Sequence, residues 1–195
     1  MRLTPPSAAQ VGAGALVIAA LATGRLVSEI APDTDLASRP IERHAVVGTT
    51  AHLRWADLTV TKVTGSRRTS EIGDDLSIGS PGVWLLVTLR MTTKLDAQSP
   101  AHAGIQAGDG TEITLGSRNR KLCDQANPGI AVRCAVAFEV PPKALPGSKL
   151  VIARDEQQGN LYDDEAVFDL GISKADAAAW AKNDSVIPFP LGQDK

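Results

Sequence analysis

From Val83 to Met91 an apolar residue stands at every second position: Val83, Leu85, Val87, Leu89 and Met91. Successive side chains of a β-strand point to opposite faces, so these five share one wholly apolar face. Such a face has to be buried against a second layer. The residues between them, Trp84, Leu86, Thr88, Arg90 and Thr92, begin apolar and end polar. The opposite face is therefore expected to be covered at its Trp84 end and wet at its Arg90 end.

Further segments follow the same period. "HLRWADLTVTKV" alternates around Leu58-Thr59-Val60-Thr61 and is rich in β-branched residues. It is read as one strand opened by His52. "AGDGTEITLG" carries a turn at Asp109-Gly110, with Ile113 and Leu115 pointing inward. "RCAVAFEVP" puts Cys134, Val136, Phe138 and Val140 on one face, and Pro141-Pro142 stops it. "SKLVIARD" is a short strand. "EAVFDLGI" is the last, with Ala166, Phe168, Leu170 and Ile172 on one face. Turn signals ("GSPG", "GDG", "NPG", "LPG", "QQGN") fall between nearly every pair. Short strands at that spacing predict an antiparallel sandwich or barrel. No repeat of solenoid or propeller period interrupts it.

The segments outside this region differ. "SKADAAAWAKND" predicts one short helix, opened by Ser173 and Asp176 as a capping box. In the tail beyond it, Val186, Ile187, Phe189 and Leu191 are broken by two prolines and cannot be helical. These four either pack back on the domain or dock a protein partner. Residues 28–45, with two prolines and scattered charge, read as a linker. The expected organisation is a membrane or signal segment at 1–27, a linker at 28–45, a β-domain at 46–172, and a helix with its tail at 173–195.

From Leu3 to Gly24 there is no charged residue. A membrane span needs about 20 such residues, and the segment lacks the polar stripe of a buried core helix. A single transmembrane signal anchor and a signal peptide cleaved near Ala22, after the small-x-small "ALA", both remain open, as does a soluble disordered start. No cysteine follows at once, which argues against a lipoprotein anchor. Arg2 and Arg25 flank the segment almost evenly, so the positive-inside rule leaves orientation undecided.

Catalytic chemistry leaves no mark on the chain. There is no G-x-S-x-G elbow and no S-x-x-K. His44 (linker), His52 and His102 (loop) fall in no ligand-spaced pair, and read as surface histidines. No glycine loop is built to cradle phosphate. A net charge of −2 offers nucleic acid no footprint, and the run Ser117 to Lys121 is too short to supply one. The acidic clusters Asp74-Asp75 and Asp163-Asp164-Glu165 lack the ligand count and spacing of a calcium loop. No cofactor or metal is expected.

The two cysteines, Cys123 and Cys134, stand eleven positions apart around an Asn-Pro-Gly turn. Two cysteines without a nearby histidine cannot complete a zinc site. Their spacing is too wide for a redox C-x-x-C. A disulfide across a hairpin fits, with a pair of free buried thiols as the alternative. A disulfide persists only in an oxidising compartment, so it implies N-terminus inside and domain outside.

The series "LTVTKV", "SPGVWLLVTLRMTTK", "AGDGTEITL", "CAVAFEVPPKALPGSKLVI" and "AVFDLGI" resembles a family of exported immunoglobulin-like domains of unknown function. Actinobacteria and other Gram-positive bacteria carry them, and they are relatives of the secreted mycobacterial immunoprotective antigen. The resemblance spans about Trp55 to Ile172. It rests on a "g.w.vV.v...N" strand, a "d..G..y" segment and a "F.VP" strand closed by a prolyl turn. Thr93-Lys94 departs from the family's Asn, and "LYDDEAVFDL" has no counterpart in its pattern. The resemblance implies an immunoglobulin-like β-sandwich and no shared catalytic residue.

The expected role is thus non-catalytic: a membrane-anchored extracytoplasmic binding or accessory module at the bacterial cell surface. Its protein partner would lie at that surface or within a membrane complex. The alternative is a secreted small-molecule or calcium-binding protein using the acidic loops.

Overall fold

The computed structural model describes residues 40–70, 76–115, 120–154 and 164–189. The chain divides into residues 1–39 and 40–195. The expected membrane segment and most of the expected linker therefore lie outside the described residues. Among the described residues, no helix is long and apolar enough to cross a membrane.

Strands numbered in chain order form two sheets. The first runs β1 (Ile41–Val46), β10 (Asp164–Asp169), β9 (Lys149–Ala153), β5 (His102–Gln106), β6 (Glu112–Thr114). The second runs β11 (Val186–Ile187), β3 (Ala56–Ser70), β4 (Ser77–Thr93), β8 (Ala131–Val140), β7 (Arg120–Cys123), and β2 (Thr50–His52) also pairs with β3. One short helix, α1 (Lys174–Trp180), follows β10. The expected β-sandwich is present.

Its core is the one that the period-two faces predict. Val83, Leu85, Val87, Leu89 and Met91 of β4 are all fully buried, as are Cys134, Val136, Phe138 and Val140 of β8. They meet Ala103 and Ile105 of β5, Leu150 and Ile152 of β9, and Ala166 and Phe168 of β10. The Asp109-Gly110 turn forms as expected. Gly110 takes φ +86° and donates to the Ala107 carbonyl, while the Asp109 side chain accepts from the Thr111 amide. The capping box also forms, with Ser173 Oγ accepting from the Asp176 amide and Asp176 accepting from the Ser173 amide.

Three expectations need correction. Residues 41–45, read as linker, belong to β1, which pairs in parallel with β10. The strand is mostly exposed and carries no apolar alternation, so its sequence has no periodic signature. Arg43 Nε donates to the buried Asp164 carboxylate at 3.1 Å, and Trp55 Nε1 donates to the Asp164 carbonyl at 3.1 Å. Those bonds help tie β1 and the β2–β3 corner to β10. "HLRWADLTVTKV", read as one strand, breaks at 53–55 into the hairpin β2–β3, where the Leu53 amide bonds the Ala56 carbonyl. The sandwich is also not wholly antiparallel, because β1–β10 and β11–β3 are parallel pairs. Both involve the strand nearest one end of the described chain. A terminal segment can join an edge in either direction, because no hairpin turn dictates its course.

Beyond α1 the chain returns to β3. Ser66 Oγ donates to the carbonyls of Asn183 and Ser185, Thr69 Oγ1 donates to the Ile187 carbonyl, and the Arg67 amide donates to the Asn183 carbonyl. Gly65 lies under the Trp180 indole, in space that any Cβ would share with that ring. Gly65→Ala is therefore expected to push Trp180 off the sheet at a cost of about 1–3 kcal/mol. A thermal melt followed by tryptophan fluorescence would test it, and an unchanged midpoint would count against this packing.

Candidate functional site

Cys123 and Cys134 are joined. They stand directly opposite each other on β7 and β8 with Cα atoms 4.4 Å apart, the close separation of a non-hydrogen-bonded antiparallel pair. Cys134 is fully buried among the core residues of β8. The intervening loop turns at Asn127-Pro128-Gly129, where Gly129 takes φ +77° and the Ile130 amide bonds the Asn127 carbonyl. A positive φ at the third residue of such a turn requires glycine or asparagine. Thr93 holds this loop down. Its buried Oγ1 donates to the Ala126 carbonyl, and its own carbonyl accepts from the Gly129 amide. Cys134→Ser is expected to cost about 3 kcal/mol in the chain-entropy picture and to leave Cys123 open to alkylation. Denaturant midpoints with and without reductant would measure both effects.

The tail residues divide. Phe189 is buried against Trp84, Leu86, Ala135 and Ala137, with Ile78 and Ile187 packed around them. This second apolar cluster sits on the outer face of the second sheet and covers the Trp84 end of β4. The Phe189 amide donates to Ser70 Oγ. Val186 remains exposed, Ile187 is half-buried, and Leu191 lies outside the described residues. The sequence contained the signal for this seat, since Trp84 and Leu86 needed a cover. It did not say which segment would supply it.

Beside the tail the outer face opens into a groove of about 500 Å³, lined by Thr61, Lys62, Thr64, Leu86, Thr88, Arg133, Ile187 and Pro188. Leu86, Ile187 and Pro188 form its apolar side. Register pairs Lys62 with Thr88, and Arg90 with Arg133. Lys62, Arg90 and Arg133 are all exposed. Asp57, further along β3, is engaged by Lys94 Nζ at 2.7 Å and His52 Nδ1 at 2.8 Å. Burial pushes the Asp57 carboxyl up, but those two partners outweigh it and hold it below the ordinary range. At the far end, Glu139 accepts from Ser80 Oγ.

The outer face of the first sheet carries a smaller hollow of about 160 Å³, among His102, Gly104, Gln106, Glu112, Val151 and Glu165. Burial holds the Glu165 carboxyl above its ordinary range. Glu42, directly opposite on β1, adds to that rise, and His102 opposes it. The histidines lie on strands, His44 in β1, His52 closing β2 and His102 opening β5, where the linker and loop readings had put the first and third.

The acidic run also resolves. Asp163, Asp74 and Asp75 fall outside the described residues. Asp164 and Glu165 are neighbours in β10, so they point to opposite faces, Asp164 inward to Arg43 and Glu165 outward. They cannot share a cation. Among the described residues, no group of three or more metal-ligating side chains comes together.

No family model and no curated protein matches the chain. Among solved structures, an uncharacterised β-sandwich protein from Clostridium difficile 630 is similar, with TM-score 0.43 and 8% identity over 67% of this chain and 95% of that one.

Proposed function

We propose that this chain is a non-catalytic, membrane-anchored extracytoplasmic module that binds a partner at the bacterial cell surface. The observation that carries the proposal is the Cys123–Cys134 disulfide, a bond that survives in oxidising compartments. The uncharged stretch from Leu3 to Gly24 supplies the route across the membrane, as anchor or as cleaved leader. Immunoglobulin-like topology and kinship with the exported family belong to the same proposal. Support for them comes from the quoted strand motifs and from the two packed sheets. The partner-binding role rests on what a sandwich offers: two sheet faces held rigid by one core, with exposed Val186 beside the second.

The test is thiol labelling of protein taken from its host, denatured without reductant. An oxidised pair supports the extracytoplasmic placement, and two free thiols remove its main support. Co-purification from host membranes in mild detergent addresses the partner. Recovery of the chain alone, in a monomer that binds calcium, would favour the small-molecule or metal-binding alternative.

A further inference from the structure

We infer that the free edge of β1 pairs with β1 of a second copy of this chain, antiparallel about a two-fold axis at Arg43, so that the first sheets of the two copies become one. β1 stands at the end of its sheet, with β10 on one side and, among the described residues, no strand on the other. At six residues it is the longest of the four strands that end the two sheets; β6 has three, β7 four and β11 two. Its ladder with β10 runs from Ile41 to Val46 without a bulge. Such an edge is a template for another strand unless something guards it.

The ends of the edge decide the register. The N–H and C=O of one residue point the same way, and the direction alternates along a strand. The Val46 amide donates to Thr49 Oγ1, and the Val46 carbonyl accepts from the Thr49 amide. Both groups are therefore turned away from β10, and those of His44 and Glu42 turn with them. Val46 is already taken, and Pro40 at the other end has no N–H to give. The stretch left between them is 41–45, with Arg43 at its midpoint. A two-fold axis there sets Glu42 opposite the partner's His44 as a hydrogen-bonded pair, and Ile41 opposite the partner's Ala45. An axis at His44 would set Glu42 against the Val46 groups that Thr49 holds.

The charges fit that register. Glu42 stands directly opposite Glu165 of β10, and like charges so placed destabilise a strand pair. Within the chain its relief is its own His44, at 3.0 Å. The partner's His44 brings a second imidazole to the side of Glu42 away from Glu165, and an imidazole can donate to a carboxylate and carry the opposing charge. The two Arg43 side chains meet across the axis, but each is balanced by its own Asp164, whose carboxylate accepts from Nε at 3.1 Å. Ile41, 49% exposed in the single chain, gains an apolar neighbour. The inference concerns only the described domain and stands apart from the membrane placement.

The experiment uses the purified full chain in mild detergent. Sedimentation velocity up to about 100 μM is expected to show a reversible dimer. Glu42→Lys should raise its dissociation constant about tenfold or more, because the lysine meets the partner's His44. The same change removes the repulsion from Glu165, so the melting temperature should not fall. Exchanging both residues, Glu42→Lys with His44→Glu, should restore the dimer. In an equimolar mixture of Ile41→Cys and Ala45→Cys chains, mild oxidation should link unlike chains. The Cα atoms of such a non-hydrogen-bonded pair lie about 4.5 Å apart, within reach of a disulfide. Should Glu42→Lys fail to fold by circular dichroism, His44→Glu alone carries the comparison and should also weaken the dimer. A chain that stays monomeric overturns the inference. A dimer indifferent to these charge changes is assembled elsewhere, through residues 3–24 for example, and overturns it as well. Failure of the double exchange to restore the dimer, or linking of like Ile41→Cys chains in place of unlike ones, overturns the register and with it the inference as stated.

Discussion

Val87→Asp is expected to unfold the domain, whereas Thr88→Asp leaves it folded. The two residues are adjacent in β4, but their side chains leave opposite faces of the sheet. Val87 is fully buried between Val63 of β3 and Val136 of β8, in the middle of the continuous core. No cation among these core neighbours can pair with a carboxylate there. Burying an unpaired carboxylate costs several kcal/mol, even after it takes up a proton. That is a large share of the roughly 5–15 kcal/mol that stabilises a domain. Thr88 is half-exposed, with Lys62 directly opposite, so a carboxylate there stays hydrated and gains a cationic neighbour. Urea denaturation of both variants is the measurement. Similar midpoints would mean that the faces of β4 have been assigned wrongly.

Removing the ring of Phe189 should produce the second large loss. The side chain is 2% exposed and closes the cluster with Trp84, Leu86, Ala135 and Ala137. Truncating a buried phenylalanine to alanine costs about 3–5 kcal/mol. For a domain of this size, Phe189→Ala is expected to lower the melting temperature by roughly 6–20 °C. Deleting residues 185–195 should lower it at least as far, since the pairing of β11 with β3 and the Thr69 and Ser70 bonds go with it. Differential scanning calorimetry decides. A truncated chain with an unchanged melting temperature would mean that the tail is not seated, which returns Phe189 to a docking role.

Much of this architecture can be read before any coordinates. The faces of β4, β8 and β10 are legible because each is buried on one side over several consecutive pairs, and burial writes a period of two into the residues. Asp109-Gly110 and Asn127-Pro128-Gly129 are legible because a positive φ restricts what can occupy the position. The capping box is legible because both its bonds lie within four residues. The cysteine pair is legible for a similar reason, as its two strands are joined by a short turn.

What escaped are contacts made at long range by segments that have no repeating pattern. β1 has no apolar period, since it is an exposed edge held by β10 and by Arg43 reaching a carboxylate 121 residues away. Asp164 and Glu165 look like one acidic cluster in the chain, and only the pleat sends them to opposite faces. The cover over Trp84 was required by composition, yet Phe189 was chosen by the path of the chain around α1. The opposition of Arg90 and Arg133, 43 positions apart, exists only in the register of β4 with β8. Local periodicity reports whether a side chain is buried. Which distant residue it meets depends on strand order and register, and those are set by the packing of the whole domain.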